Sequence, residues 1–434
     1  MNKKNRRINL VQNCLIVALS ISAVFLFTRT SLFSELARTE LAQRVQTTLS
    51  PVGSNSAGEN VALSSLSMPL RMALTSDFAC YGADALTGSS ETFEAVGSFL
   101  AEAIGSSHDM ETVSEADFFA ALGRSGLYFD FPGEMPLEYL AARLGTVYTG
   151  AQAPDIRRCL LSVGSGDNAL FYLYTQSGVC MRYQTAVSSA ALKAYLDTVG
   201  GNDSSFAALL REDYVNLSPF TLVLGEAAPR SELISANALH DFSTEELLRR
   251  TEFNAHTQNS YTESNGTVVI LEAQRTLRLE PRGLVLYSGE QTEEPGSLYH
   301  VSSAAGTPPT RLEVIGAAQN LLGSILMEKT AEARIYLHSA EPTLTGYRLY
   351  FDYVVNGTPV LFSDKSHAAE VLVEGNTITA FSLQLRRYTA SDRDCLLLPL
   401  RQAAAISSLY PQSELTVAYI DTFSDVTHAE WVCD

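Results

Sequence analysis

The side chains best suited to metal or nucleophilic chemistry in this 434-residue chain are seven histidines and a handful of cysteines. Their spacing argues against both uses. His108, His240, His256, His300, His338, His367 and His428 stand singly, and no HExxH, CxxC or Cys/His cluster gathers metal donors along the sequence. His338-Ser339-Ala340-Glu341 would set two donors on one helical turn, but Pro342 favours a loop, so no metal is expected there. Gly164-Ser165-Gly166 lacks the GxSxG spacing and falls in an expected hairpin turn. Ser189 and Lys193 are one residue too far apart for a Ser-x-x-Lys pair. Glu111, Glu115, Asp117, Asp130 and Glu134 supply carboxylates of the kind a glycosidase pairs, yet the ordinary reading is a solvated face. A non-enzymatic chain follows, with no catalytic residue, no metal and no cofactor.

The first 29 residues set where any function is exercised. Lys3, Lys4, Arg6 and Arg7 precede the uncharged run Ile8–Thr28, and Arg29 closes it. About 20 apolar residues at roughly 1.5 Å each cross a bilayer core. The cations keep residues 1–7 in the cytoplasm, residues 8–28 form a transmembrane anchor, and all that follows is extracytoplasmic. A cleavable leader is the rival reading. The run is longer than a typical leader core, however, and Phe27-Thr28-Arg29 offers no small-x-small cleavage site. Asn13, Val17, Ser20 and Val24 share one helical face, beside the small-xxx-small pair Ala18 and Ser22. Small and hydroxylated residues allow close helix approach, so Asn13, Val17, Ala18, Ser20 and Ser22 are expected to contact a partner within the membrane. The plainer reading is an ordinary anchor with Asn13 satisfied by interfacial water.

Beyond residue 29 stand 25 basic against 48 acidic residues, a formal charge of −23. Such a field repels nucleic acid and anionic headgroups, and neither is expected as a partner. Cys14 lies in the anchor. The five external cysteines (Cys80, Cys159, Cys180, Cys395 and Cys433) are odd in number and scattered, so the core is expected to fold without disulfides. Cys159 and Cys180 flank an expected hairpin and are left as one possible pair.

These side chains hang on an α+β framework. Residues 29–60 read as a stalk helix and a Ser/Gly/Asn linker, residues 61–250 as a first α+β domain and residues 251–434 as a second. In the first, amphipathic periodicity predicts helices over Ser90–Ile104 and Ser114–Leu122, the latter capped by Ser114 with Asp117 at the capping-box position. Alternation predicts a strand over Leu127–Phe131 ending at Pro132. A meander is predicted over Arg157–Val163, Ala169–Gln176 and Val179–Ala186, followed by a helix over Ser188–Val199. Ser243 and Glu246 form a second box before Thr244–Thr251. In the second domain, strands over Thr267–Ala273, Arg275–Leu279 and Leu284–Tyr287 lead to a helix over Thr310–Met327. Hairpins follow at Asn356-Gly357 and Gly375-Asn376, the second running on to Tyr388. Leu398–Tyr410 is the last helix, and Glu414–Thr422 with Val426–Val432 close the sheet. Two similar units suggest tandem α+β modules, each with a helix across an antiparallel sheet.

Two stretches carry a family resemblance. Phe253–Tyr287 (FNAHTQNSYTESNGTVVILEAQRTLRLEPRGLVLY) and Tyr347–Tyr388 (YRLYFDYVVNGTPVLFSDKSHAAEVLVEGNTITAFSLQLRRY) resemble the YycH/YycI family, with Asn356, Gly357, Pro359 and Val360 at its strand–turn–strand core. Leu127–Leu140 is a looser match. The resemblance implies a single-pass protein of the Gram-positive cell envelope that modulates a WalK-type (YycG) sensor histidine kinase through transmembrane and external contacts. It also implies a homologous second regulator as a possible partner. The hairpin-plus-helix units are similar to PepSY-like domains too, which would imply an envelope binding or protease-inhibitor module. An exported hydrolase is the third reading; it would require a deep cleft with at least two acids of perturbed pKa.

Overall fold

The computed structural model describes residues 69–433 other than 87–90, 151–152, 176, 211–213, 215, 225–227, 255–258, 291–295, 305–306, 408–409 and 411–412. The expected anchor with Asn13, Val17, Ala18, Ser20 and Ser22, and the expected stalk and linker over 29–60, lie outside the described residues. Among the described residues no helix is long and apolar enough to cross a membrane.

Seven strands make a first sheet: β1 (Arg71–Thr75), β2 (Cys80–Asp84), β3 (His108–Val113), β4 (Gly126–Pro136), β5 (Asp155–Ser162), β6 (Asn168–Tyr174) and β7 (Cys180–Ser188). They run antiparallel in the order β2-β1-β4-β5-β6-β7-β3. Both faces are covered. Leu127, Phe129 and Phe131, with Cys159, Leu161, Phe171 and Leu173, share a core with α1 (Glu91–Gly105), α3 (Leu137–Arg143) and α4 (Ser189–Leu196). The opposite parity, Tyr128, Leu160, Tyr172 and Tyr174, packs under Phe118 of α2 (Glu115–Leu122) and Phe206 and Phe220. Phe206 and Leu222 belong to a short ribbon of β8 (Ser205–Phe206) and β9 (Leu222–Val223). Two covered faces explain why residues of both parities are buried along these strands.

The capping box at α2 forms as its sequence requires: the Ser114 side chain accepts from the Asp117 amide, and the Asp117 carboxylate accepts from the Ser114 amide. At α5 (Thr244–Arg250) only half of the expected box forms. Ser243 accepts from the Glu246 amide, while the Glu246 carboxylate turns to Arg250 and Lys329.

Thirteen strands make a second sheet: β10 (Ser231–Asn237), β11 (Asn259–Thr262), β12 (Val268–Glu272), β13 (Arg275–Leu279), β14 (Leu284–Gly289), β15 (Ala333–Pro342), β16 (Gly346–Val355), β17 (Thr358–Phe362), β18 (Ala369–Glu374), β19 (Thr377–Gln384), β20 (Arg386–Asp394), β21 (Leu415–Asp421) and β22 (Val426–Cys433). The path is β11-β12-β13-β14-β19-β18-β16-β17-β21-β22-β10-β20, with β15 on the free side of β16. All pairs are antiparallel except β17–β21. β10 belongs to this sheet although it precedes residue 250. Helix α6 (Arg311–Leu326) buries Ile315, Ala318, Leu322 and Ile325 of the stripe Leu312, Ile315, Ala318, Leu322 and Ile325 that its periodicity predicts; Leu312 is only partly buried, and Val314 joins the core instead. Helix α7 (Leu400–Ser407) is shorter than expected. A single hydrophobic core runs from Met72 to Ala429 through both sheets.

Three expectations change. Leu127–Phe131 does not end at Pro132: β4 continues to Pro136 through a break in register between Asp130 and Met135. The strand expected over Thr377–Tyr388 divides at Leu385 into β19 and β20, which pair with different neighbours. Residues 338–342 are not a loop but the end of β15. This strand pairs on one side only, so Pro342 interrupts no second ladder.

Candidate functional site

The strongest convergence of titratable groups forms where β15, β16 and the β17–β18 connection meet. β16 buries Leu349, Phe351, Tyr353 and Val355 on its core face, which puts Asp352 on the other. The register of β15 on β16 slips between Leu337 and Ser339, so His338 is the extra residue of a bulge. Bulges re-aim side chains, and the His338 imidazole lies with Nδ1 2.9 Å from Asp352 Oδ2. From the other direction His367 places its Nδ1 3.0 Å from Asp352 Oδ1. The two rings are 4.9 Å apart between centroids, and Tyr350 flanks His367 at 4.7 Å.

The backbone fixes each position. Asp364 accepts from the amide and hydroxyl of Ser366 in a tight turn, which sets the chain entering His367. The next amide, Ala368, donates to Asp352 Oδ1 at 3.3 Å, and its carbonyl accepts from the Gln384 amide at 2.8 Å. On the far side of β15 stands Gly133, in the irregular part of β4. A Cβ there would lie 2.4 Å from the His338 carbonyl oxygen and 2.6 Å from its Cα. Two bulges, one from each sheet, therefore touch behind the cluster.

Asp352 is 7% exposed and the imidazoles of His338 and His367 are 38% and 33% exposed, so a buried carboxylate sits beneath two half-open rings. Burial acts to raise the Asp352 pKa, but the hydrogen bonds and charges of the two imidazoles outweigh it and hold the carboxyl at about 2. In turn, the hydrogen bond that the His367 imidazole makes to the Asp352 carboxylate raises its pKa above the usual value, against its partial burial. His338 Nδ1 is buried and faces Oδ2, the carboxylate oxygen that neither His367 nor the Ala368 amide reaches.

The depression from 3.8 to about 2 corresponds to about 2 kcal/mol at 1.36 kcal/mol per unit. Its sign is that of a lowered carboxylate: the contribution is complete above the unfolded value and is lost as pH falls from about 4 towards 2. Asp352→Asn is therefore expected to cost about 2 kcal/mol in urea unfolding at neutral pH. The gap from the parent chain should narrow below about pH 4. A gap that stays constant with pH would assign the loss to packing instead.

The carboxylates singled out in the sequence do not converge. Glu111 pairs with Arg182 on the surface, Glu115 accepts from the Tyr174 hydroxyl, and Asp117 caps α2. Asp130 departs from the expected solvated face: it is 1% exposed and, with Glu414, lies among Arg71, Arg157 and Arg158. Arg158 also stacks 4.5 Å over Phe220. Burial acts against the charge of Glu414, but the three guanidinium groups hold its pKa well below the usual carboxylate range. Gly164-Ser165-Gly166 occupies the β5–β6 turn, and Lys193 pairs with Asp77. Cys159 and Cys180 do not pair. β6 separates their strands, Cys159 faces the α1 side and Cys180 the α2 side, and both thiols are free.

The seven histidines were expected to act singly, and the His338–Asp352–His367 cluster is what that reading missed. A signal was available: Asp352 is the one acid in a strand, YRLYFDYVV, that is otherwise aromatic and aliphatic apart from Arg348.

No family model matches the sequence, and no curated protein matches it. Among solved structures, the crystal structure of YycH from Bacillus subtilis matches with a TM-score of 0.55 and 12% sequence identity, over 85% of this chain and 94% of that chain. The chain shares the YycH fold, and the resemblance in Phe253–Tyr287 and Tyr347–Tyr388 extends to the architecture around them.

Proposed function

We propose that this chain is a membrane-anchored, extracytoplasmic regulator that binds a sensor histidine kinase of a cell-envelope two-component system. The observation that carries the reading is a fold shared over nearly the whole length of YycH, joined to the sequence resemblance in two separate stretches. On this reading the C-terminal half holds tandem PepSY-like units, and α6 shares one hydrophobic core with strands of both stretches. A homologous second regulator is the further partner that this reading admits. Such a protein works by population shift: binding one kinase conformation more tightly by a few kcal/mol, about 10²-fold for roughly 3 kcal/mol, biases output without any chemistry of its own.

The anchor is the proposed route of contact, through Asn13, Val17, Ala18, Ser20 and Ser22. With a photoreactive residue at Ser20 or Ser22, crosslinking in native membranes is expected to capture a histidine kinase. Capture of lipid alone, together with unchanged kinase output when residues 8–28 are exchanged for an unrelated span, would overturn the membrane contact. It would move the reading to an envelope binding module acting through its acidic external face.

A further inference from the structure

The cluster at the end of β15 has the composition of a metal shell rather than of an ordinary buried salt bridge. One imidazole, that of His367, and the Ala368 amide both bond Asp352 Oδ1. A second imidazole, that of His338, is brought in by a bulge and sets its Nδ1 2.9 Å from Asp352 Oδ2. Two imidazoles from separate segments thus converge on one buried carboxylate, each with a ring nitrogen turned to it. We propose that His338, Asp352 and His367 bind a single divalent cation, zinc being the ion their chemistry fits best.

Two neutral imidazoles and one carboxylate form a donor set suited to zinc, whereas calcium and magnesium call for shells of oxygen. One donor atom from each of the three residues lies within 4.8 Å of the others. Tetrahedral zinc with bonds of about 2.0–2.1 Å sets neighbouring donors roughly 3.3 Å apart, against 2.9 and 3.0 Å from the two imidazoles to different oxygens of Asp352 and a span of up to 4.8 Å across the three donors. The outer shell is in place: the Ala368 amide orients the carboxylate, and the Asp364 turn orients the strand entry. Glu341 and Glu370 add negative potential at His367. The imidazoles are a third or more exposed, which leaves an open side for entry and for a water ligand. A bound ion would tie β15, β16 and the β17–β18 connection together at the point where β4 leans on β15. The sequence hid this site because its donors are 14 and 15 residues apart along the chain and meet only through strand pairing.

The test uses the full chain, purified in detergent, stripped with a chelator and titrated with zinc and with cobalt as a spectroscopic stand-in. One equivalent is expected to bind, with the visible bands of tetrahedral cobalt. His338→Gln and His367→Gln should each weaken binding by more than about 100-fold, beyond the roughly 10–100-fold that outer-shell changes cost. Both positions are half open, and circular dichroism should show both variants folded. His428→Gln, a surface histidine, should leave binding unchanged. Equal affinity and stoichiometry in the parent and the His338→Gln/His367→Gln double variant would overturn the proposal, as would a parent chain that takes up no ion.

Discussion

Glu414→Gln is expected to destabilise the folded chain by about 3–5 kcal/mol, the range seen when one partner of a buried ion pair is removed. Glu414 is about 8% exposed and faces Arg71, Arg157 and Arg158, while Asp130 is the second carboxylate among them. Three cations and two anions leave one positive charge in excess, and the glutamine chain would leave two. Cations buried without partners have no water to turn to, which is why the loss exceeds that of any surface pair. The position of Glu414 adds to this, since it comes from the start of β21 while its partners lie on β1 and β5. The same bonds that satisfy the charges therefore hold the two sheets together. Thermal and urea unfolding of the full chain measure the effect, and a loss under about 1 kcal/mol would place the network among exposed pairs of little worth. Because the folded pKa of Glu414 is depressed, its contribution is present above the unfolded value of 4.5 and fades as pH falls below it. The parent chain should thus lose stability in acid more steeply than Glu414→Gln.

Gly133→Val should open the seam between β4 and β15. A Cβ at this position meets the His338 carbonyl oxygen at 2.4 Å, the His338 Cα at 2.6 Å and the Leu337 carbonyl oxygen at 2.6 Å. All three are backbone atoms, so no side-chain rotation relieves the clash and one strand must retreat. Overpacking of this kind costs about 1–3 kcal/mol and more where nothing can yield. Faster amide exchange over β15, together with a lower unfolding midpoint, is the expected readout. Gly97 provides the control: it lies within α1 with nothing within 4 Å of its missing Cβ. Gly97→Ala should be neutral or stabilise by up to about 1 kcal/mol, as alanine does in a helix. Equal behaviour of the two variants would remove the contact at His338 as the cause.

Local rules were legible in the sequence wherever the physics is local. Ser114 and Asp117 specify their capping box within four residues. Asn356-Gly357 specifies the β16–β17 turn, since both residues take the positive φ a tight hairpin asks for, +48° and +72°. The stripe on α6 was readable for the same reason, because a helix sets its own period. What could not be read depends on partners remote in the chain. β15 carries the warning signs of a loop and is a strand only because β16 pairs along it. Asp130 looked like surface acid because nothing near it in sequence shows the arginines that bury it. His338 and His367 were isolated by spacing and united by a one-residue slip in register, which no periodicity reports. The α+β class was therefore within reach, whereas the cluster on it was not.

The arginine–carboxylate network also has a meaning in time. Arg71 and Glu414 are 343 residues apart. At about 5–20 residues per second, roughly 17–70 s of synthesis separate the first member of the network from the last. In the part of that interval between the synthesis of β9 and that of Glu414, the first sheet has its strands and its aromatic core but carries three guanidinium groups facing a single aspartate. It cannot close over them without stranding charge, so the nascent chain is held open until its final strands emerge. Commitment to the native state is thereby deferred to the end of translation, and a prematurely terminated chain carries its own mark of incompleteness in a cationic, partly uncovered sheet.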